Sequence, residues 1–325
     1  MHRVGFACKY RNAEGKQPFP NRTVTATSMR KHTEQEQYEI LTRIIHNNVE
    51  SLIGLIKKVG RGRRDMRMFR VTSDLMPLYS HEEFSHMYED LNKIVSERYA
   101  EAGKLAREKD IRLSFHPGQY TVLASDKPHV VDNAIKDIEY HTDIAKLMGY
   151  GREFQDFKIN IHLSGSRGQE GFRENYLRLS EAAQRMLTVE NDEVSHGLDS
   201  VLGISDLCPI VLDIHHHWVK TGEHIQVDDD RVWQVIESWS NVRPTMHYSV
   251  SRPEHIGSTE MPMKSKLEAT VNQLRAHSEF FHNEKLNSWA ASFLPHFDIM
   301  CESKGWNESR NLFASRLTYA ARNQT

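Results

Sequence analysis

The sequence predicts an α/β fold, a single (β/α)8 TIM barrel occupying residues 1–325, on three observations. Strand-like and helix-like segments alternate along the whole chain, the pattern of a parallel sheet with crossover helices. No linker or composition shift divides the 325 residues, a length that suits one such barrel with insertions. Six apolar runs, at 111–116, 157–162, 186–190, 210–213, 245–247 and 297–302, each end on a group able to hold a metal ion: His116, His162, Glu190, Asp213, His247 and Glu302. In a closed parallel barrel every strand's C-terminal end faces one mouth, so these ends converge.

The elements follow in order. Strand 1 falls at about 2–8, and a polar loop runs to about 32. Thr33-Glu34-Gln35-Glu36 reads as a capping box opening a helix with Leu41, Ile45, Leu52, Ile56 and Val59 on one face, closed by Gly60. After strand 2 (66–71), Ser80-His81-Glu82-Glu83 caps a second helix in the same way, to about Lys109. Strand 3 (111–116) leads to a helix at 129–148, strand 4 (157–163) to one at 171–185, and strand 5 (186–190) to a weaker one at 194–206. Strand 6 (209–214) precedes a helix at 229–240. Strand 7 (244–249) precedes a loop to about 263 and a long helix over roughly 264–292. Strand 8 (296–302) and a helix from Glu308 finish the chain. The longest irregular stretches, 9–32 and 249–263, lie at strand C-terminal ends, where barrel loops build the binding surface.

Composition narrows the class. No window holds the roughly 18–20 uncharged apolar residues of a membrane span, and the N-terminus shows no signal or transit pattern. Cys8, Cys208 and Cys301 have no ligand spacing and read as reduced thiols of a cytoplasmic protein. A net charge of −2 excludes a generally basic nucleic-acid coat, and 19 histidines favour a metalloprotein. Nothing flags a nucleotide cofactor or a subunit interface, so a monomer is expected.

Taken singly, a strand-end histidine such as His162 is more often a hydrogen-bonded structural residue. Together, three histidines and three carboxylates at one mouth repel or need a cation. Imidazole and carboxylate without thiolate suit Mn²⁺, Zn²⁺, Fe²⁺ or Mg²⁺. The surplus of carboxylates points to two or three ions, the arrangement that clamps attacking and leaving oxygens in phosphodiester hydrolysis. His215, His216 and His217 leave an ambiguity. A continuing strand aims Asp213, His215 and His217 inward; a bend after Ile214 brings in His216. In His116-Pro117-Gly118-Gln119-Tyr120 the Pro-Gly turn lifts Gln119 and Tyr120 from the mouth, as a surface pair or as a wedge for a base stack. Phosphate contacts are expected among Lys9, Arg11, Arg22, Arg167, Arg252, Lys264 and Lys266 rather than in the basic run 57–67, which lies on the barrel's bottom.

These segments resemble the UV damage endonucleases: Arg3-Val4-Gly5-Phe6-Ala7-Cys8, the run 69–77, the HPGQY segment at 116–120, Ile161-His162-Leu163-Ser164-Gly165, Glu190-Asn191-Asp192, Asp213-Ile214-His215-His216, His247-Tyr248-Ser249 and the run 298–304. The matches keep the family's order over nearly the whole chain. The resemblance implies a xylose-isomerase-like, endonuclease-IV-like barrel with a manganese-preferring cluster of two or three ions, Zn²⁺, Mg²⁺ or Co²⁺ being alternatives. It implies cleavage of damaged double-stranded DNA immediately 5′ to a UV photoproduct, leaving a 3′-hydroxyl. The implied ligands are His116, His162, Glu190, Asp213, His216, His247 and Glu302, with Glu190, Asp213, Glu302 and His247 central to catalysis. His255, in the predicted loop after strand 7, is the candidate for a further histidine ligand. Phe6, Tyr10, Asp74, Gln119 and Tyr120 match DNA- or lesion-contacting positions. Phe6 replaces a tyrosine, and Thr245 replaces a lysine that lies close to the metals in relatives. Alternatives are an abasic-site endonuclease, a sugar isomerase on the same barrel, and a damage-binding homologue impaired by Thr245.

Overall fold

Eight short parallel strands form one sheet: β1 (Val4–Ala7), β2 (Met68–Arg70), β3 (Arg112–Phe115), β4 (Lys158–His162), β5 (Leu187–Glu190), β6 (Ile210–Val211), β7 (Thr245–Tyr248) and β8 (Asp298–Cys301). The chain is seen in a computed structural model that describes residues 1–322. Hydrogen-bonded neighbours run β6-β5-β4-β3-β2-β1-β8-β7. The two end strands meet through a single parallel bridge, Asp213 to His247, where the His247 amide donates to the Leu212 carbonyl at 3.0 Å. The predicted barrel is therefore present, and its seam passes through two of the predicted ligands.

The alternation of each strand decides what lines the lumen. On β1, Val4 and Phe6 point outward to the helices and Gly5 points inward, where a Cβ would meet the Met68 and Met300 Cε atoms at 2.8 and 3.1 Å. At the floor, the fully buried Asp298 carboxylate accepts from the Arg3 amide (2.7 Å), Arg112 (2.8 Å) and Arg243 Nε (3.0 Å). These bonds compensate a buried charge that would otherwise be costly. The core is filled by outward-facing strand residues such as Phe69, Phe115, Ile159 and Ile299, packed under the helices.

The helix Glu34–Val59 carries the predicted Thr33–Glu36 capping box, buries the predicted face and stops at Gly60. Several expectations differ. No side chain caps the second helix, which begins at Tyr88 after a 3₁₀ turn, Ser85–Met87; Glu83 pairs with Arg30 instead of closing a box. The predicted helix 171–185 is two, Gly168–Tyr176 and Glu181–Met186, because the Ser180 hydroxyl caps the Ala183 amide. The weak helix 194–206 shrinks to Leu198–Leu202, since Asp192 takes the Val194 and Ser195 amides into a turn. The loop to residue 32 contains a short helix, Ala26–Met29. The predicted long helix 264–292 is broken into a 3₁₀ turn Lys264–Lys266 and helices Val271–Leu274 and Glu284–Ala291, cut by the Thr270–Gln273 box and the Asn283 cap. An additional helix, Ile214–Thr221, follows β6 directly, capped by Asp213 and stopped by Gly222 at φ 83°. Cys208 and Cys301 are buried free thiols; Cys8 is half-buried. No described helix is long and apolar enough to cross a membrane.

Gly103 gives a test of this packing. Within the helix Tyr88–Glu108, Gly to Ala ordinarily stabilises by about 1 kcal/mol. A Cβ at Gly103, however, would sit 1.8 Å from the Met148 carbonyl oxygen, a backbone atom. The clash dominates, so Gly103→Ala is expected to lower stability by about 1–3 kcal/mol, read from the urea midpoint; a raised midpoint would contradict the close approach.

Candidate metal centre at the barrel mouth

Glu190, at the end of β5, is fully buried and ringed by imidazoles. His247 Nδ1 and His116 Nε2 lie 2.9 and 3.2 Å from its Oε2, His216 Nδ1 lies 3.2 Å from Oε1, and His162 Nε2 lies 3.9 Å from Oε2. Asn160, from β4, also donates to Oε2. On the far side, Glu302 Oε1 is 3.2 Å from His247 Nδ1 and pairs with Arg70. Asp213 gives one oxygen to the His216 amide (2.7 Å) and holds the other 3.6 Å from His216 Nδ1. Every strand-end residue read from the sequence therefore reaches one place.

Three overlapping groups in this cluster have the geometry to hold an ion: His116, Glu190 and His247; His162, Glu190 and His216; and Asp213, His247 and Glu302. Glu190 Oε1, Asp213 Oδ2 and His247 Nδ1 are buried and lack a hydrogen-bond partner. Orphaned acceptors among buried carboxylates are what a bound cation satisfies, so the donor set fits a divalent ion. Burial drives the Asp213 carboxyl well above its ordinary range, against the pull of His216 and with Glu190 and Glu302 adding to the rise. Burial also raises Glu190, but the surrounding imidazoles outweigh it and hold that carboxyl well below its usual value. His116 falls to about 4, by burial first and then by Arg70 and His162. Burial and Lys158 lower His247 as well. His116 is thus neutral at neutral pH, the form that ligates, whereas neighbouring carboxylates outweigh burial and raise His162 and His216.

The triple histidine resolves cleanly. The chain turns helical at Asp213, and the helix Ile214–Thr221 sends its members in different directions. His215 is held between the Ser249 and Ser251 hydroxyls at 2.8 and 2.9 Å, and His217 contacts Glu223 at 3.0 Å. His216 alone of the three reaches Glu190.

Several groups at this site are not evident from strand ends. Asp192 Oδ2 stands 3.3 Å from His162 Nδ1, and Glu193 Oε2 stands 3.5 Å from His216 Nε2. Carboxylates so placed fix the orientation of ligating imidazoles. Both directly follow Glu190-Asn191, so the acidic run was a usable signal. His277 and Arg275 line the cleft with Gln119, His162, His216 and Glu302. They lie in the segment read as helix 264–292, which hid them. His277 bridges Ser251 in antiparallel fashion, and burial pushes its imidazole down to about 4.

Other expected residues stand elsewhere. His255, half-buried in the short helix Pro253–Ile256, is not among the cleft-lining residues, whereas His277 is. Phe6 is fully buried, stacked on Phe69 at 5.7 Å with the Arg310 guanidinium 4.9 Å from its ring, because alternation on β1 turns it outward. Tyr10 is half-buried between Phe6 and Phe19. Asp74 is exposed on the loop after β2. Gln119 and Tyr120 project as expected, Tyr120 at 83% exposure. Thr245 is buried with its hydroxyl unpartnered, while the Lys158 amine crosses from β4 to within 3.0 Å of His247 Nε2. Burial lowers Lys158 to about 7, assisted by Arg112 and Arg70 and opposed by Glu190 and Glu302.

Known proteins are similar to this chain. The profile of the family described as UV-endonuclease UvdE matches residues 2–314. A protein of Bacillus cereus named UV DNA damage endonuclease is 30% identical over 292 residues, covering 88% of this chain and 85% of the relative. One of the same name from Bacillus mycoides is 29% identical over 297 residues, with the same coverage. Among solved structures, SacUVDE superposes with a TM-score of 0.77 at 25% identity over 99% of both chains. Endonuclease IV from Thermus thermophilus shares the fold, with a TM-score of 0.55 at 11% identity over 99% of both chains.

The electrostatics of Asp192 are testable by pH. Burial raises its carboxyl, but His162 and the Ser195 and Val194 amides outweigh burial and hold it well below the ordinary range. A depressed folded-state pKa contributes stability above the unfolded value of about 3.9, lost as the pH falls below it. Asp192→Asn is therefore expected to flatten the fall of the urea midpoint between pH about 5 and 2. An equally steep fall in the variant would contradict the assignment.

Proposed function

The chain belongs to the UV-endonuclease UvdE family, and on that premise we propose that it is a metal-dependent DNA endonuclease that hydrolyses the phosphodiester immediately 5′ to a UV photoproduct, leaving a 3′-hydroxyl for excision repair. One observation carries the reading: a buried carboxylate, Glu190, shared by four imidazoles at the mouth of the barrel. His116, His162, Glu190, Asp213, His216, His247 and Glu302, with His277 in place of His255, would hold two or three ions, Mn²⁺ first among them. When bound, such ions supply the positive charge that acidifies water and stabilises the oxygens of an in-line displacement.

The protein's own groups prepare that chemistry. Glu190 and Glu302 present carboxylate oxygens at the centre and the far side of the cluster, and Glu190, which belongs to two of the three groups, would help hold more than one ion. Asp192 and Glu193 hold His162 and His216 in place, and Asn160 fixes Glu190. Gln119 and Tyr120 stand above the cleft, where an exposed aromatic ring and an amide can replace a base's stacking and pairing partners. A photoproduct weakens stacking and makes the duplex cheaper to kink, so damage is read through deformability. The protein would act as a monomeric single-domain enzyme, inside the cell beside its DNA.

The test is nicking. With Mn²⁺, the protein is expected to nick irradiated plasmid, to spare unirradiated plasmid, and to cut a defined pyrimidine-dimer duplex faster than an abasic one. Glu190→Gln should lose on the order of 10³-fold in rate. Irradiated plasmid left intact, as in an EDTA control, would refute the reading; preference for the abasic duplex would replace the substrate.

A further inference from the structure

The mouth is crowded with carboxylates: Glu190, Asp192, Glu193, Asp213 and Glu302. A phosphodiester approaching them is an anion approaching anions. Arg70, on β2 beside the cluster, is already paired with Glu302. Among the described residues lining the cleft, one carries a lysine or arginine side chain, Arg275.

Arg275 is placed by a folded-back segment rather than by a free loop. The Ser278 amide donates to the Val250 carbonyl at 2.8 Å, the Ser251 hydroxyl donates to the Leu274 carbonyl at 2.6 Å, and Ser251 bridges His277. These contacts tie residues 274–278 to the end of β7. Arg275 then pairs through Nε with Glu193, whose side chain is 2% exposed, while its own is 41% exposed. Among the described residues Arg275 pairs with no second carboxylate, and its side chain lines the cleft. A guanidinium held against a buried carboxylate, yet partly exposed beside the cleft, is preorganised for a bidentate contact with two oxygens of one phosphate.

We propose that Arg275 binds the non-bridging oxygens of the phosphodiester to be cut, with Glu193 as the positioning residue that aims it; this rests on the reading of the cleft as a DNA phosphodiester site. Because Glu193 also lies 3.5 Å from His216 Nε2, one carboxylate holds both the phosphate clamp and a ligating imidazole in register.

Two measurements test this on the full chain. Binding of a duplex with one defined pyrimidine dimer is followed by fluorescence anisotropy in EDTA across a KCl series, and cutting of the same duplex is followed in Mn²⁺. Arg275→Ala is expected to reduce the slope of log affinity against log salt by about one, the signature of one lost phosphate contact. It should lower kcat/KM on the order of 10²-fold. Arg275→Lys should keep the slope but regain only part of kcat/KM, because an ammonium cannot make the paired contact. Mn²⁺ uptake by calorimetry should match the parent in both variants. An Arg275→Ala protein with parental salt slope and parental kcat/KM would overturn the proposal. So would loss of Mn²⁺ uptake with an unchanged slope, which marks a purely structural role. If the parent chain cuts no DNA at all, the reading of the site fails on its own, and the salt slope in EDTA still decides Arg275.

Discussion

A fully buried glutamate shared by four imidazoles is the constraint on which the rest of the structure depends. Ionised carboxylates are rarely buried without partners, because desolvation costs several kcal/mol. Glu190 is brought into contact with side chains from the ends of β3, β4 and β7 and from the helix after β6. No two-strand unit can assemble that set; only a closed parallel barrel brings those ends together. The seam makes the dependence concrete, for the bridge joining β6 to β7 is between Asp213 and His247, both members of the cluster. Fold and site are thus one arrangement.

Below and around this cluster, charge is balanced in tiers. At the floor Asp298 is held by Arg112 and Arg243, and at the top Glu302 is held by Arg70. Between them Lys158 spans the lumen to His247. Resemblance to the UV damage endonucleases leads one to expect a lysine at Thr245, on the same strand as His247. Here the hydroxyl of Thr245 has no partner, and the amine beside His247 arrives from β4 instead.

Much of this was legible because strands that end on polar groups are visible as periodicity. The eight strands, the capping box at Thr33 and the six strand-end residues of the cluster follow from local pattern, which the barrel then preserves. The parity of β1 already implied that Phe6, two residues from Val4, faces the helices; the family position drew attention away from it. Periodicity left His215, His216 and His217 open; the resemblance implied His216, and the Asp213 cap that ends the strand and starts a helix brings that side chain to Glu190. His277 and Arg275 were hidden for another reason. Residues 264–292 have enough helix-compatible residues to read as one element, but the Thr270 and Asn283 caps divide it, and the piece between them pairs with Ser251. Long-range pairing of that kind leaves no local period.

The central claim is that the mouth is built around cations. Calorimetric titration of chelator-stripped protein with Mn²⁺, paired with the same titration of Glu190→Gln, tests it most directly. The account predicts at least two ions bound per chain, with proton release because the Asp213 carboxyl and the His162 and His216 imidazoles, all raised above their ordinary values, give up protons to ligate, and collapse of that binding in the variant. A stripped protein that binds no ion, or a Glu190→Gln protein that binds as the parent does, would contradict it.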